Sequence, residues 1–298
     1  MIITRYITIP QLTGKEKRRA YVYVPDESKT NPEARYPVLY MFDGQNVFFD
    51  SHATYGKSWG MLDYLQENNV PLIVAAVECN HHPDNGRLSE YSPFDFSDDR
   101  FGSVKGRGKI TMDWFVKKFK PLIDRNFPTL PDREYTFIAG SSMGGLMTIY
   151  AVTKYNHVFS RGAALSPSLW VNTPRLEKMI RNTDFSSGTV LYMDYGSEEF
   201  GWMPDMMKGY NRISSAFCDS GVMLTSRLVP GGTHQEASWE KQIPFFIHTL
   251  FYNLLYYGTS RTPSPTRVRC NGEGAAPHVL GTLAPKVPKI QHPKRNIS

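Results

Sequence analysis

Short, mostly apolar segments alternate with longer amphipathic segments along most of this chain. Beyond Pro37, the apolar segments have the length of β-strands and lack polar alternation, which is typical of strands covered on both faces. These segments are 38–42, 72–77, 135–139, 160–165, 190–194 and 223–228. Apolar residues recur at three- and four-residue spacing in the segments 59–68, 111–126, 145–155, 174–181, 205–218 and 238–257. The alternation predicts an α/β fold with a mostly parallel central sheet flanked by helices on both faces.

The N-terminal residues follow a different pattern. Polar and apolar side chains alternate in residues 5–9 and 19–24, on either side of a turn-rich segment at 11–15. This pattern is typical of strands with one solvated face, so it predicts an antiparallel hairpin at one edge of the sheet.

The positive charge of the chain lies at its C-terminal end. The net charge of the 298 residues is +6, and residues 261–298 account for all of it, with seven Lys and Arg against one Glu. The rest of the chain is neutral overall, which argues against a nucleic-acid partner. The segment from 260 onward has six prolines and no aromatic residue. We therefore predict an α/β domain over 1–258 and a Pro-rich, basic and disordered tail over 259–298.

The cysteines and the N-terminus indicate the compartment. Cys79, Cys218 and Cys270 are too far apart for a disulfide framework or a zinc-ligand pattern. Residues 1–10 lack the apolar core of a signal peptide, so a cytoplasmic protein is expected. No run approaches the roughly 18 apolar residues of a membrane span, and no membrane partner is expected.

One connection between predicted elements is unusually long. Residues 80–109 are rich in Asn, Asp, Ser, Pro, Gly and Arg. Connections of this length are typically either active-site lids or disordered loops, so this segment is expected to influence access to a site.

The segment Gly140-Ser141-Ser142-Met143-Gly144 fits the pattern G-x-S-x-G. A predicted strand leads into it and a predicted helix follows, as in a nucleophile elbow, where small neighbours allow the chain to turn sharply. The context predicts Ser142 as a nucleophile. It also predicts the backbone N–H of Met143, at the start of the helix, as an oxyanion donor. An ordinary Gly-Ser turn is the alternative.

A serine nucleophile needs a base and an acid that orients the base. Of the eight histidines, His234 alone lies in a Gly-rich loop between a predicted strand and a predicted helix, so it is the predicted base. The acid is expected after the strand at 190–194, because α/β-hydrolases have the order serine, acid, histidine. Glu199 is the first choice, Glu198 the second, and Asp194, inside the predicted strand, the third.

A second oxyanion donor is expected in the loop that follows the first parallel strand. Gly44 lets the backbone turn inward there, and the N–H of Gln45 is the predicted donor. An ordinary Asp-Gly turn is the alternative.

Five segments carry a family resemblance, in the order that the preceding argument requires. They are 40–46, 140–145, 165–170, 194–199 and 231–239. With them the chain resembles the "putative esterase" (esterase D-like) family of α/β-hydrolases, which includes S-formylglutathione hydrolases, enterochelin esterases and family 1 carbohydrate esterases. The likeness covers about residues 15–256. The chain departs from the family in having Asp43-Gly44 where many members have His-Gly, and Glu199 where the acid is often Asp.

The resemblance implies a serine-dependent carboxylic ester hydrolase that needs no metal and no cofactor, with Ser142, Glu199 and His234 as its triad. It implies short acyl esters as substrates, such as acetyl or feruloyl esters of plant polysaccharide. Trp170 is the first candidate for a substrate contact through its place in the segment 165–170, and core packing or surface cover is the alternative. The expected partner is a small-molecule or oligosaccharide ester. An acyltransferase on the same fold and a non-catalytic binding protein that keeps the fold are the alternatives.

Overall fold

The structure, a computed structural model, describes residues 1–202 and 206–254. Met1–Leu255 forms one compact unit. The predicted tail at 259–298 lies outside the described residues, as does the end of the helix predicted at 238–257.

An eight-stranded sheet forms the centre of this unit, and two further strands pair separately. The strands are β1 (Ile2–Thr8), β2 (Lys17–Tyr23), β3 (Val38–Met41), β4 (Ile73–Val77), β5 (Phe96–Asp98), β6 (Gly102–Val104), β7 (Thr136–Ser141), β8 (Arg161–Leu165), β9 (Val190–Gly196) and β10 (Met223–Val229). The order in the large sheet is β1-β2-β4-β3-β7-β8-β9-β10. β2 is antiparallel to β1 and to β4, whereas the strands from β4 to β10 in this order run parallel. The predicted hairpin and the mostly parallel sheet are both confirmed.

The helices are α1 (Pro10–Thr13), α2 (Met61–Glu67), α3 (Gly86–Glu90), α4 (Gly108–Trp114), α5 (Lys120–Asn126), α6 (Met143–Lys154), α7 (Thr173–Arg181), α8 (Met206–Asp219), α9 (Glu236–Glu240) and α10 (Ile243–Leu250). Every predicted helical segment contains helix, and two short helices, α1 and α3, lie outside those segments. A π-helical turn, Phe115–Phe119, joins α4 to α5. The single helix predicted from 238 is wrong, because Pro244 has no N–H to donate to the carbonyl of Glu240, and α10 begins as a new helix. No helix within 1–202 and 206–254 is long and apolar enough to cross a membrane.

Side chains of the central strands pack into two separate hydrophobic cores, one on each face of the sheet. On β3, Val38 and Tyr40 pack into one core and Leu39 and Met41 into the other. All four are buried, which is why the strand shows no polar alternation. Because the strands from β4 to β10 run parallel, their carboxyl ends lie at the same edge of the sheet. This edge carries the predicted site residues.

The long connection at 80–109 is folded and not a disordered loop. It contains α3 and the antiparallel pair β5–β6, both too short to leave a periodic signal in the sequence. Contacts with distant residues stabilise it: Phe96 and Phe101 both pack against Trp170.

Candidate active site

Ser142 lies on a sharp turn between β7 and α6. Its φ of 56° and ψ of −119° are strained for a residue with a side chain. Its N–H donates to the carbonyl of Leu165 at 2.9 Å, which ties the turn to the end of β8. A Cβ at Gly140 would lie 2.8 Å from the backbone of Gly144, so the turn needs a glycine at that position. The predicted strand, turn and helix of a nucleophile elbow are therefore present.

His234 and Glu199 form a hydrogen-bonded pair close to this turn. The Nδ1 of His234 lies 2.6 Å from Oε2 of Glu199. A carboxylate only accepts, so Nδ1 is the donor, and in the neutral imidazole this leaves the lone pair on Nε2. Glu199 is 7% exposed and its Oε1 accepts from the Gly196 N–H at 2.9 Å, whereas the imidazole is 47% exposed.

The two other acid candidates have different partners. The carboxylate of Glu198 accepts from the Ser197 hydroxyl at 3.2 Å, and its side chain is exposed. Asp194 is buried at the end of β9, where its Oδ2 accepts from the hydroxyl of Tyr192 at 2.7 Å. Burial raises the pKa of Asp194 to about 7. Of the three candidates, Glu199 is therefore the one hydrogen-bonded to His234.

The predicted oxyanion donors lie at the ends of two neighbouring strands. Met143 is the first residue of α6, so its N–H has no acceptor within its own helix and lies at the positive end of the helix dipole. Gln45 lies in a 3-10 turn, Gly44–Asn46, that follows β3. The side-chain oxygen of Gln45 accepts from the N–H of Cys79 at 3.3 Å, which holds this turn against the residues after β4.

An ion pair fixes the start of the same turn. Asp43 has a left-handed backbone with φ of 55°, and its carboxylate accepts from Nε and Nη2 of Arg87 at 2.6 and 2.7 Å. The N–H of Asp43 donates to the hydroxyl of Tyr91 at 3.1 Å. Sequence reasoning did not identify Arg87, because it lies in the irregular 80–109 connection and no local pattern marks it.

Replacing Gly44 with alanine tests the second oxyanion donor. The new Cβ would lie 2.7 Å from backbone atoms of Val77, so the turn must move and take the N–H of Gln45 with it. We expect kcat for an ester substrate to fall about 100- to 1,000-fold with a smaller change in KM. Steady-state kinetics and thermal unfolding measure the effect. Gly209→Ala is the matched control, because its Cβ meets nothing closer than 3.3 Å; equal kcat in the two variants would contradict the assignment.

Ser142 and His234 both line two cavities, which we call the polar arm and the aromatic arm. The polar arm has a volume of about 650 Å³, and its lining includes Asn46, Thr54, Asn80, His82, Asn85 and Glu236. The aromatic arm has a volume of about 630 Å³, and its lining includes Leu88, Phe101, Met143, Trp170, Tyr195 and Met206. Each volume lies in the range of small-molecule sites. Within the described residues, no group of three or more His, Cys, Asp or Glu could hold a metal ion.

Trp170, the predicted substrate contact, lies in the aromatic arm and is half-buried. The ring of Phe101 stacks on it at 6.0 Å, and the guanidinium of Arg100 lies 4.8 Å from the centre of the indole. The hairpin β5–β6 thus forms a wall of this arm, and Arg87 and Leu88 line it from α3.

This chain is similar to known proteins over most of its length. A family model described as "Putative esterase" matches residues 12–247. Uncharacterized protein YbbA of Bacillus subtilis (strain 168) is 27% identical over 256 residues, which are 82% of this chain and 94% of that protein. An endo-1,4-beta-xylanase/feruloyl esterase of Xylanibacter ruminicola is 25% identical over 252 residues, which are 80% of this chain and 30% of that protein.

A solved structure of a ferulic acid esterase has the same fold. It superposes with a TM-score of 0.59 at 18% identity, over 84% of this chain and 97% of that chain. The family model covers both strand ends that carry the predicted oxyanion donors, and it extends past His234. The chain has the α/β-hydrolase fold and belongs to the "putative esterase" family of carboxylic ester hydrolases.

Proposed function

We propose that this chain is a serine esterase that works through an acyl-enzyme, with Ser142 as nucleophile, His234 as base and Glu199 as orienting acid. The observation that carries the proposal is the 2.6 Å hydrogen bond from His234 Nδ1 to Glu199 Oε2. It leaves Nε2 to accept the proton of a serine that stands on a strained turn at a helix N-terminus.

The proposed reaction has two steps. Ser142 Oγ attacks the ester carbonyl while His234 takes its proton, and the N–H groups of Met143 and Gln45 stabilise the oxyanion. The imidazolium, stabilised by the Glu199 carboxylate, then gives its proton to the leaving alcohol as the ester C–O bond breaks. In the second step, His234 takes a proton from water as the water attacks the acyl-enzyme. The imidazolium then gives this proton to Ser142 Oγ as the acyl C–O bond breaks, which releases the acid and restores both residues.

The proposed substrates are esters of an aromatic or short acyl group with a carbohydrate hydroxyl, such as feruloyl or acetyl groups on plant polysaccharide. The aromatic arm suits a planar acyl group and the polar arm a polyhydroxylated alcohol. Among the described residues that line the aromatic arm, both guanidinium groups have carboxylate partners, Arg100 with Asp98 and Arg87 with Asp43. A neutral acyl group therefore fits this arm better than an anionic one. The feruloyl esterase activity named for one relative is consistent with this choice.

Hydrolysis assays and covalent labelling test the proposal. Purified protein is assayed with p-nitrophenyl esters from acetate to laurate and with acetylated and feruloylated xylan fragments. A fluorophosphonate is then added, and the modified peptide is identified by mass spectrometry. We expect loss of hydrolysis with one adduct on Ser142; hydrolysis that survives complete labelling of this serine would overturn the proposal.

Removing the indole of Trp170 tests the aromatic arm as the acyl site. We expect Trp170→Ala to lower kcat/KM for methyl ferulate about tenfold or more, because an aromatic contact is lost from the substrate's ring. The acetyl group of p-nitrophenyl acetate is too short to fill the arm, so this ester is the internal control and its kcat/KM should stay within about threefold. Equal losses on both esters would contradict the assignment.

A further inference from the structure

Each member of the Glu199–His234 pair has a further contact, Glu199 with Ser166 and His234 with Trp239. The hydroxyl of Ser166 lies 2.7 Å from Oε1 of Glu199, the oxygen that faces away from the histidine. The indole Nε1 of Trp239 lies 2.9 Å from the same hydroxyl. The indole ring also packs edge-on against the imidazole, with ring centres 5.2 Å apart and planes at 81°.

We propose that Ser166 and Trp239 are positioning residues of this esterase, which hold the Glu199 carboxylate in one rotamer and thereby orient His234. The inference rests on the proposed triad and extends it by two residues. It assigns neither of them a contact with the reacting atoms.

The donor and acceptor chemistry allows one arrangement of this cluster. An indole N–H only donates and a carboxylate only accepts. The Ser166 oxygen must therefore accept from Trp239, and its own proton must go to Glu199. Hydrogen bonds arranged in such a chain strengthen one another in a buried setting.

The position of the Ser166 hydroxyl is set by the backbone. Ser166 follows β8 with a positive φ of 42° and is 1% exposed. Its N–H lies 3.1 Å from the carbonyl oxygen and 3.2 Å from Oδ1 of Asp194, so it is tied to the end of the neighbouring strand β9. The hydroxyl is thus anchored to the sheet.

His234 and Glu199 need such an anchor. The imidazole is 47% exposed, and its residue lies in the loop after β10. Glu199 itself lies on a 3-10 turn beyond the end of β9. Two donors, the hydroxyl of Ser166 and the N–H of Gly196, fix its Oε1, and this leaves Oε2 directed at Nδ1 of His234.

Two single variants each remove one hydrogen-bonding group of this cluster, and each is chosen to limit the cost to the fold. Ser166→Gly deletes the hydroxyl, and glycine accepts the positive φ of this position without strain. Trp239→Phe deletes the indole N–H and keeps an aromatic ring beside the imidazole. We expect each to lower kcat on p-nitrophenyl acetate about 10- to 100-fold with KM within about threefold, because a small misplacement of the base slows the chemical step.

A spectroscopic signal reports the positioning independently of turnover. The Nδ1 proton of His234, held against a carboxylate at 2.6 Å, should give a low-field proton NMR resonance that His234→Gln removes. We expect this resonance to broaden or move upfield in Ser166→Gly and Trp239→Phe. Loss of packing elsewhere in the core would not move it.

A control and a double variant separate positioning from packing. Trp59 packs against Trp239 at 5.9 Å and against Phe246, so Trp59→Phe removes a buried indole from the same core. It should retain kcat and the low-field resonance. Because the N–H of Trp239 acts through the Ser166 hydroxyl and phenylalanine keeps a ring beside His234, the double variant Ser166→Gly/Trp239→Phe should lose no more kcat than Ser166→Gly alone.

The outcomes distinguish this inference from the proposed function. If the wild type is active, the inference is overturned when Ser166→Gly and Trp239→Phe both retain the wild-type kcat and the low-field resonance. It is also overturned when Trp59→Phe loses as much kcat as Trp239→Phe. A wild type without esterase activity would overturn the proposed function. The NMR resonance would then still decide, by its change or its persistence, whether Ser166 and Trp239 hold the Glu199–His234 pair.

Discussion

Ser142→Ala is expected to lower kcat on p-nitrophenyl acetate by on the order of 10⁴- to 10⁶-fold, since the members of a serine triad act as a unit. The residual rate would come from the oxyanion donors and from substrate binding. Folding should be unchanged, because alanine keeps the Cβ and tolerates the φ of 56° no worse than serine does. The Oγ that is lost lies 3.3 Å from the hydroxyl of Ser168, at the long end of hydrogen-bond distances.

Ser168→Ala is the matched control for this prediction. It removes the same hydrogen bond from the other side, and it deletes one hydroxyl from the same cavity. We expect its kcat to stay within about tenfold of the wild type, because Ser168 is not the attacking group. Single-turnover kinetics and circular dichroism measure both variants. A near wild-type kcat in Ser142→Ala, or an equally severe loss in Ser168→Ala, would show that the nucleophile is assigned to the wrong serine.

The central sheet could be predicted because its signal is local. Tyr40 and Leu39 are adjacent and pack into opposite cores, so an apolar residue is needed at every position of β3. The connection at 80–109 could not be predicted in the same way. Its strands β5 and β6 have three residues each, and contacts with distant residues such as Trp170 stabilise them.

The site residues, too, could be predicted only where their signal in the sequence is local. Five consecutive residues, 140–144, determine the turn around Ser142, so its geometry could be predicted from the sequence. The sequence ranked Glu199 above Glu198 but left both open, because adjacent residues on a 3-10 turn direct their side chains differently. Ser166 and Trp239 are 73 positions apart, one just after β8 and the other in α9, so no local pattern in the sequence marks their contact. The catalytic roles of all these residues stay predictions until they are measured.

Glu199→Gln is expected to lower kcat about 10⁴-fold, through the tautomer of His234. The Oε1 atom of Glu199 accepts two hydrogen bonds, one from the Ser166 hydroxyl and one from the Gly196 N–H. The amide of the variant must therefore place its oxygen there, which puts its NH₂ at the position of Oε2, against Nδ1 of His234. Nδ1 must then accept a hydrogen bond, so the ring proton moves to Nε2 and the base for Ser142 is lost.

Glu198→Gln is the matched control, because it makes the same substitution on the neighbouring residue of the same turn. The Glu198 side chain is exposed and its described hydrogen bond is to Ser197, so kcat should stay within about threefold. The comparison uses kcat on p-nitrophenyl acetate, with thermal unfolding to confirm that both variants are folded. If Glu198→Gln were the inactive variant, the acid would be Glu198. If both variants were active, Asp194 would be the remaining carboxylate, and the hydrogen bond between Glu199 and His234 would then have no catalytic role.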